Sequence, residues 1–142
     1  MKRDNAGLIQ FGVRLISITY VALGLIGFLP IDAINPFHPE GVGARYLLHQ
    51  VAIDPLHNLL HLAIGLSGLW AMRSVSASRI WGMVWGITLL LLFVIGMGQA
   101  SMEEFPSDQL LFGLVTLNSA GHILHLSTGA IALYLGLQRN PT

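Results

Sequence analysis

DPLHNLLHLAIGLSGLW, residues 54–70, decides the fold. It opens on an Asp-Pro pair, a good N-cap followed by a residue suited to the first helical turn. It then runs apolar for close to the roughly 20 residues a membrane-crossing helix needs. The pattern returns 64 residues later as NSAGHILHLSTGAIALY, residues 118–134. Leu60, His61, Leu62, Gly65 and Leu69 recur as Leu124, His125, Leu126, Gly129 and Leu133, with Asp54 matched by Asn118 and Trp70 by Tyr134. Leucine matches carry little weight in so apolar a chain, but the HLxxG match does not arise so cheaply. The spacing predicts two helical hairpins repeated in parallel about an axis along the membrane normal.

The remainder of the chain agrees with lipid as solvent. Hydrophobic residues make up 54 % of the 142 and charged residues 10 %, against about 25 % charged in soluble proteins. A soluble domain this short needs charge to cover its surface. The expectation is therefore a single all-α domain over residues 1–142, a four-transmembrane-helix bundle with spans at 7–29, 55–72, 80–100 and 119–137. Seven basic and seven acidic residues leave no basic footprint for nucleic acid. The absence of cysteine excludes disulfides, thiolate metal sites and thiol nucleophiles within the chain.

Basic residues set the direction. Lys2, Arg3, Arg14, Arg73, Arg79 and Arg139 fall on one side of a four-span chain and only Arg45 on the other, so both termini are expected in the cytoplasm. The outer connections carry apolar stretches of their own. ARYLLHQVAI, residues 44–53, is expected to lie as a short amphipathic helix at the membrane surface. The short SVSAS connection, residues 74–78, predicts that the helices flanking it are antiparallel neighbours. Trp70, Trp81 and Trp85 read as an aromatic belt at the inner interface, and Gly82 with Gly86 as a GxxxG packing site.

All six histidines fall in the outer half or the outer loops: His38, His49, His57, His61, His122 and His125. Asp54, His57, His61, Gly65 and Gly68 share one helix face, and so do Asn118, His122, His125, Gly129 and Ala132. Polar and small residues in membrane helices face the bundle. Spans two and four are thus expected to pack through these faces and to bring His57, His61, His122 and His125 together. His61 and His125 lie about 10 Å inside their caps, where a partnerless imidazole is costly. Two readings follow for them: interior side chains satisfied by hydrogen bonds, or ligands. No span contains a glutamate, which argues against a di-iron carboxylate site. Neither HExxH nor a Ser–His–Asp arrangement is visible, so the chain reads as non-enzymatic. Neutral imidazoles suit haem iron, zinc or copper, or the magnesium of a chlorophyll-type tetrapyrrole.

DPLHNLLHLAIGLSGL and LNSAGHILHLSTGAIALYLG resemble the signature segments of a family of small four-span bacterial membrane proteins, found in actinobacteria and cyanobacteria and catalogued only as a domain of unknown function. The resemblance covers essentially the whole chain and is sharpest at His57, Asn58, His61, Gly65, Asn118, His125 and Gly129. It implies a four-helix membrane bundle and no activity. The expected role is an accessory or scaffold subunit beside other membrane proteins, in a photosynthetic or respiratory assembly of the bacterial inner or photosynthetic membrane. The alternative is a haem-, chlorophyll- or metal-binding protein built on the histidines.

Overall fold

The computed structural model describes residues 5–29, 39, 41–47, 50–99 and 109–138. His38, His49, Lys2, Arg3 and Arg139 lie outside them. The chain order is α1 (Ala6–Ile26), β1 (Arg45–Leu47), β2 (Val51–Ile53), α2 (Pro55–Ala71), α3 (Val75–Gln99), β3 (Gln109–Leu111), β4 (Val115–Leu117) and α4 (Ser119–Leu137). Three of the four helices, α1, α3 and α4, are long and apolar enough to cross a membrane. The outer face of α3 shows why: Ile80, Val84, Ile87, Leu91 and Val94 are all exposed at alternating steps of four and three. A ridge of that kind is soluble only in lipid or against another helix. The third helix starts earlier than its apolar run, at Val75, because the Ser74 hydroxyl accepts from Ala77 N at 3.1 Å and caps it.

The outer connection expected to be an amphipathic helix is instead a β-hairpin. β1 and β2 pair antiparallel with Arg45 opposite Ile53, and β3 and β4 pair in the corresponding register with Gln109 opposite Leu117. Each position is 64 residues from its counterpart, and the burial pattern of the strands is the same. Apolar spacing alone fits a helix here, but β-branched Val51, Ile53, Val115 and Thr116 favour a pleated conformation, and the backbone pairs within each connection. At the second hairpin Phe112 (φ 55°) and Gly113 (φ 71°) take the left-handed conformations of a primed turn, and Leu114 N donates to Leu111 O at 3.1 Å.

Helix pairing also differs from the expectation. The small residues of α2 meet α1, not α4: a Cβ on Gly65 would stand 2.6 Å from Val21 N and 2.7 Å from Ser17 O. Those of α4 meet α3: a Cβ on Gly136 would stand 2.6 Å from Met83 N, and one on Gly129 3.1 Å from Leu89 Cβ. Gly65, Gly68, Gly129 and Ala132 thus line the α1–α2 and α3–α4 contacts, whose partners a stripe of small residues cannot specify. Contacts between α2 and α3 gather at their turn, where Ser78 Oγ donates to Ala71 O (3.2 Å) and Trp81 Nε1 to Ser67 Oγ (3.0 Å). Trp81 is accordingly buried in the core with Tyr20, Ile64, Leu89 and Leu135, whereas Trp70 is exposed. The belt reading fails for Trp81.

The GxxxG site is where the sequence placed it. Gly82 and Gly86 lie against α4, and a Cβ on Gly86 would come within 2.5 Å of Leu133 N, a backbone atom that cannot turn aside. Gly86→Leu is expected to destabilise the protein by at least about 1–3 kcal/mol through overpacking. Gly98→Leu on the same helix, where a Cβ meets nothing within 4 Å, should leave the melting temperature in detergent unchanged. Equal melting of the two variants would refute this interface.

Candidate metal centre

The two hairpins hold the N-termini of α2 and α4 together, and the caps do the holding. Asp54 caps α2 by accepting from His57 N (2.8 Å), and Asn118 caps α4 by accepting from Gly121 N (3.2 Å). Each cap has a second partner in the other half of the chain. The other Asp54 oxygen accepts from Thr116 N in β4, and Asn118 Nδ2 donates to Gln50 O beside β2 at 2.8 Å. This clasp sets the positions of α2 and α4 independently of any direct packing between them.

His57 joins the clasp. Its Nδ1 lies 2.9 Å from the Thr116 carbonyl oxygen. A carbonyl only accepts, so Nδ1 carries the proton and Nε2 keeps the lone pair. That Nε2 is buried and has no hydrogen-bond partner. His61 sits one turn deeper on the same face, with ring centroids 4.4 Å apart. His125 enters from α4, its centroid 5.9 Å from His57 and 6.5 Å from His61. Tyr20 of α1 closes the floor, edge-on to His61 at 5.1 Å, its hydroxyl 2.8 Å from Thr128 Oγ1. Both ring nitrogens of His61 and Nδ1 of His125 are also buried without a partner. One ring nitrogen from each of the three histidines lies within 4.8 Å of the others. Three nitrogens bound to one tetrahedral ion stand about 3.4 Å apart, so small rotations of the rings would close them onto it.

His122 is not part of that group. Its Nε2 is 2.7 Å from Gln109 Nε2, which also donates to Gly96 O at 3.1 Å, and its ring meets Phe93 edge-on at 6.1 Å. The reason lies in the spacing from the caps: at an offset of 64, His57 corresponds to Gly121 and His122 to Asn58. One residue further along a helix is a rotation of about 100°, which turns His122 from the centre toward α3. Asn58 is turned the same way in α2, against Gly27, the C-cap of α1. Of the four expected site histidines, the structure brings three together and directs the fourth elsewhere. Thr116, whose carbonyl orients His57, carries no signal in the sequence beyond its place two residues before a cap.

A tetrapyrrole fits this arrangement poorly. His61 and His125 alone have a separation that an axial pair could use, but His57 stands beside the line joining them, in the space the macrocycle would fill. A single ion needs no such space.

The sequence model of a family described as Domain of unknown function (DUF4383) matches residues 10–138, and the chain belongs to that family. No curated protein and no solved structure matches it.

Proposed function

We propose that this member of the family is an integral membrane protein whose histidine triad, His57, His61 and His125, binds one transition-metal ion near the outer end of the helix bundle. The observation that carries the reading is His57 Nε2. Its lone pair is left open by the Thr116 hydrogen bond at Nδ1, buried and unpartnered, on a ring that stands between two further imidazoles. Unpaired buried acceptors are expensive, and a cation satisfies several at once. A histidine whose other ring nitrogen is held by a backbone carbonyl is the usual form of a metal ligand. An all-nitrogen donor set suits zinc, copper, nickel or ferrous iron better than calcium or magnesium. The buried Asp54 carboxylate, bonded to His57 N, would supply negative charge close to the ion.

The membrane arrangement that goes with this reading has four spans. At 17 residues α2 is about 26 Å long, and the turn after Ala71 and the cap at Asp54 extend its reach toward the roughly 30 Å core. The two caps, the two hairpins and the two deep histidines, each at an offset of 64, support two repeated helical hairpins. The distribution of basic residues supports cytoplasmic termini in a bacterial inner or photosynthetic membrane. A cysteine at Ser76 should therefore resist an impermeant thiol reagent applied to intact cells. Labelling there would invert the topology.

The test of the site is metal analysis of full-length protein purified in mild detergent and equilibrated with Zn²⁺ or Co²⁺. About one ion per chain is expected, and protein that binds neither would end the reading. The accessory-subunit reading has one specific support, the Ile80–Val84–Ile87–Leu91–Val94 ridge, spaced as a helix–helix seam. It is tested by native size: migration with other membrane proteins supports it, and migration alone does not.

A further inference from the structure

The triad is asymmetric in a way that the surrounding fold is not. Cap, hairpin register and deep histidine all repeat at an offset of 64, so the backbone of Gly121 stands to α4 as that of His57 stands to α2. Each is the third residue after its cap, and each donates its N–H to the cap side chain. A histidine at both positions would give the ion four imidazoles. The second repeat has glycine there, and the donor is missing. No other described side chain replaces it. Both Asp54 oxygens accept from backbone N–H groups and the Tyr20 hydroxyl is engaged by Thr128. His122 pairs with Gln109 through Nε2 and turns its unpartnered Nδ1 to Gly96 of α3, and the Asn58 amide, also unpartnered, lies against Gly27.

Resting on the reading of the triad as a metal site, we propose that the ion keeps one coordination position that the described protein groups do not fill, on the side of Gly121, and that it takes a small exogenous donor there: water, hydroxide or a small anion. Structural metal sites close with four protein ligands, whereas sites with three protein ligands leave a position for exchange. The surroundings limit the size of that donor. Gly121 is buried, and a Cβ on it would already stand 2.6 Å from Leu117 Cδ1.

The experiment uses full-length protein loaded with Co²⁺, whose visible ligand-field bands report coordination number, titrated with azide. The expected result is one Co²⁺ per chain and a saturable azide-dependent change in the spectrum. Gly121→His combined with Leu117→Ala, which makes room for the ring, should bind Co²⁺ and lose azide affinity by at least tenfold, since the fourth imidazole takes the position. Bound Co²⁺ whose spectrum azide leaves unchanged overturns the open position and spares the triad. Protein that binds no Co²⁺ overturns both. If the double variant does not fold, the wild-type titration alone decides.

Discussion

His61→Leu is expected to abolish metal binding while leaving the metal-free protein as stable as the parent or more so. The side chain is nearly fully buried, and neither ring nitrogen has a partner. A leucine of similar bulk keeps the packing against Tyr20 and removes a polar group whose unpaired burial costs about 1–3 kcal/mol. The parent should gain about 2.7 kcal/mol from an ion at a hundred times its dissociation constant, and the variant should gain none. His125→Leu should behave in the same way, and the double variant should lose no more metal than either single one, because all three act on one site. His122→Gln, outside the triad, should retain the ion. The readouts are metal content and melting temperature with and without Zn²⁺. A His61→Leu protein that keeps its ion, or that melts far below the parent when metal-free, would show that the imidazole is structural.

That combination, a residue unfavourable to the empty fold and necessary for the site, is what functional positions tend to show. It also explains how much could be read from the sequence. Helices and caps were legible because each has a local cause: apolar runs, and an oxygen-bearing side chain before the first turn. His57, His61 and His125 were legible as inward-facing for the same reason. His122 was misplaced because helix spacing alone allows steps of three or four, and Asn118, His122 and His125 satisfy those steps as well as Asp54, His57 and His61 do. The offset of 64 resolves it, since it sets Gly121 opposite His57. The pairing of α1 with α2 and of α3 with α4 had no such signal. Small residues announce close approach and do not name the neighbour. The hairpins escaped because strands of three residues have too few positions to show a period.

The two caps provide the second large effect, and they test the clasp directly. Asp54 and Asn118 occupy equivalent positions, yet they are not interchangeable. Asp54 must accept twice, from His57 N and from Thr116 N. Asn118 must accept once, from Gly121 N, and donate once, to Gln50 O. Only a carboxylate has two accepting oxygens, and only an amide has one of each kind. Asp54→Asn keeps the cap and turns an N–H toward the Thr116 N–H. Asn118→Asp keeps the cap and turns a carboxylate oxygen toward the Gln50 carbonyl. Both exchanges should therefore destabilise, although each residue is a good cap. Asp54→Ala should cost more: about 1 kcal/mol for the cap and about 1.5–3 kcal/mol for the charge-assisted bond to Thr116, roughly 2.5–4 kcal/mol together. The metal readout separates this from loss of helix stability alone. Thr116 orients His57, so freeing it should weaken metal binding by about 10–100-fold, the usual effect of losing a hydrogen bond that supports a ligand, while Asn118→Asp, which leaves the Asp54–Thr116–His57 connection intact, should weaken it less. Chemical denaturation and Zn²⁺ titration of the three variants check both expectations. Equal metal affinity in Asp54→Asn and the parent would mean that His57 holds its orientation without the clasp.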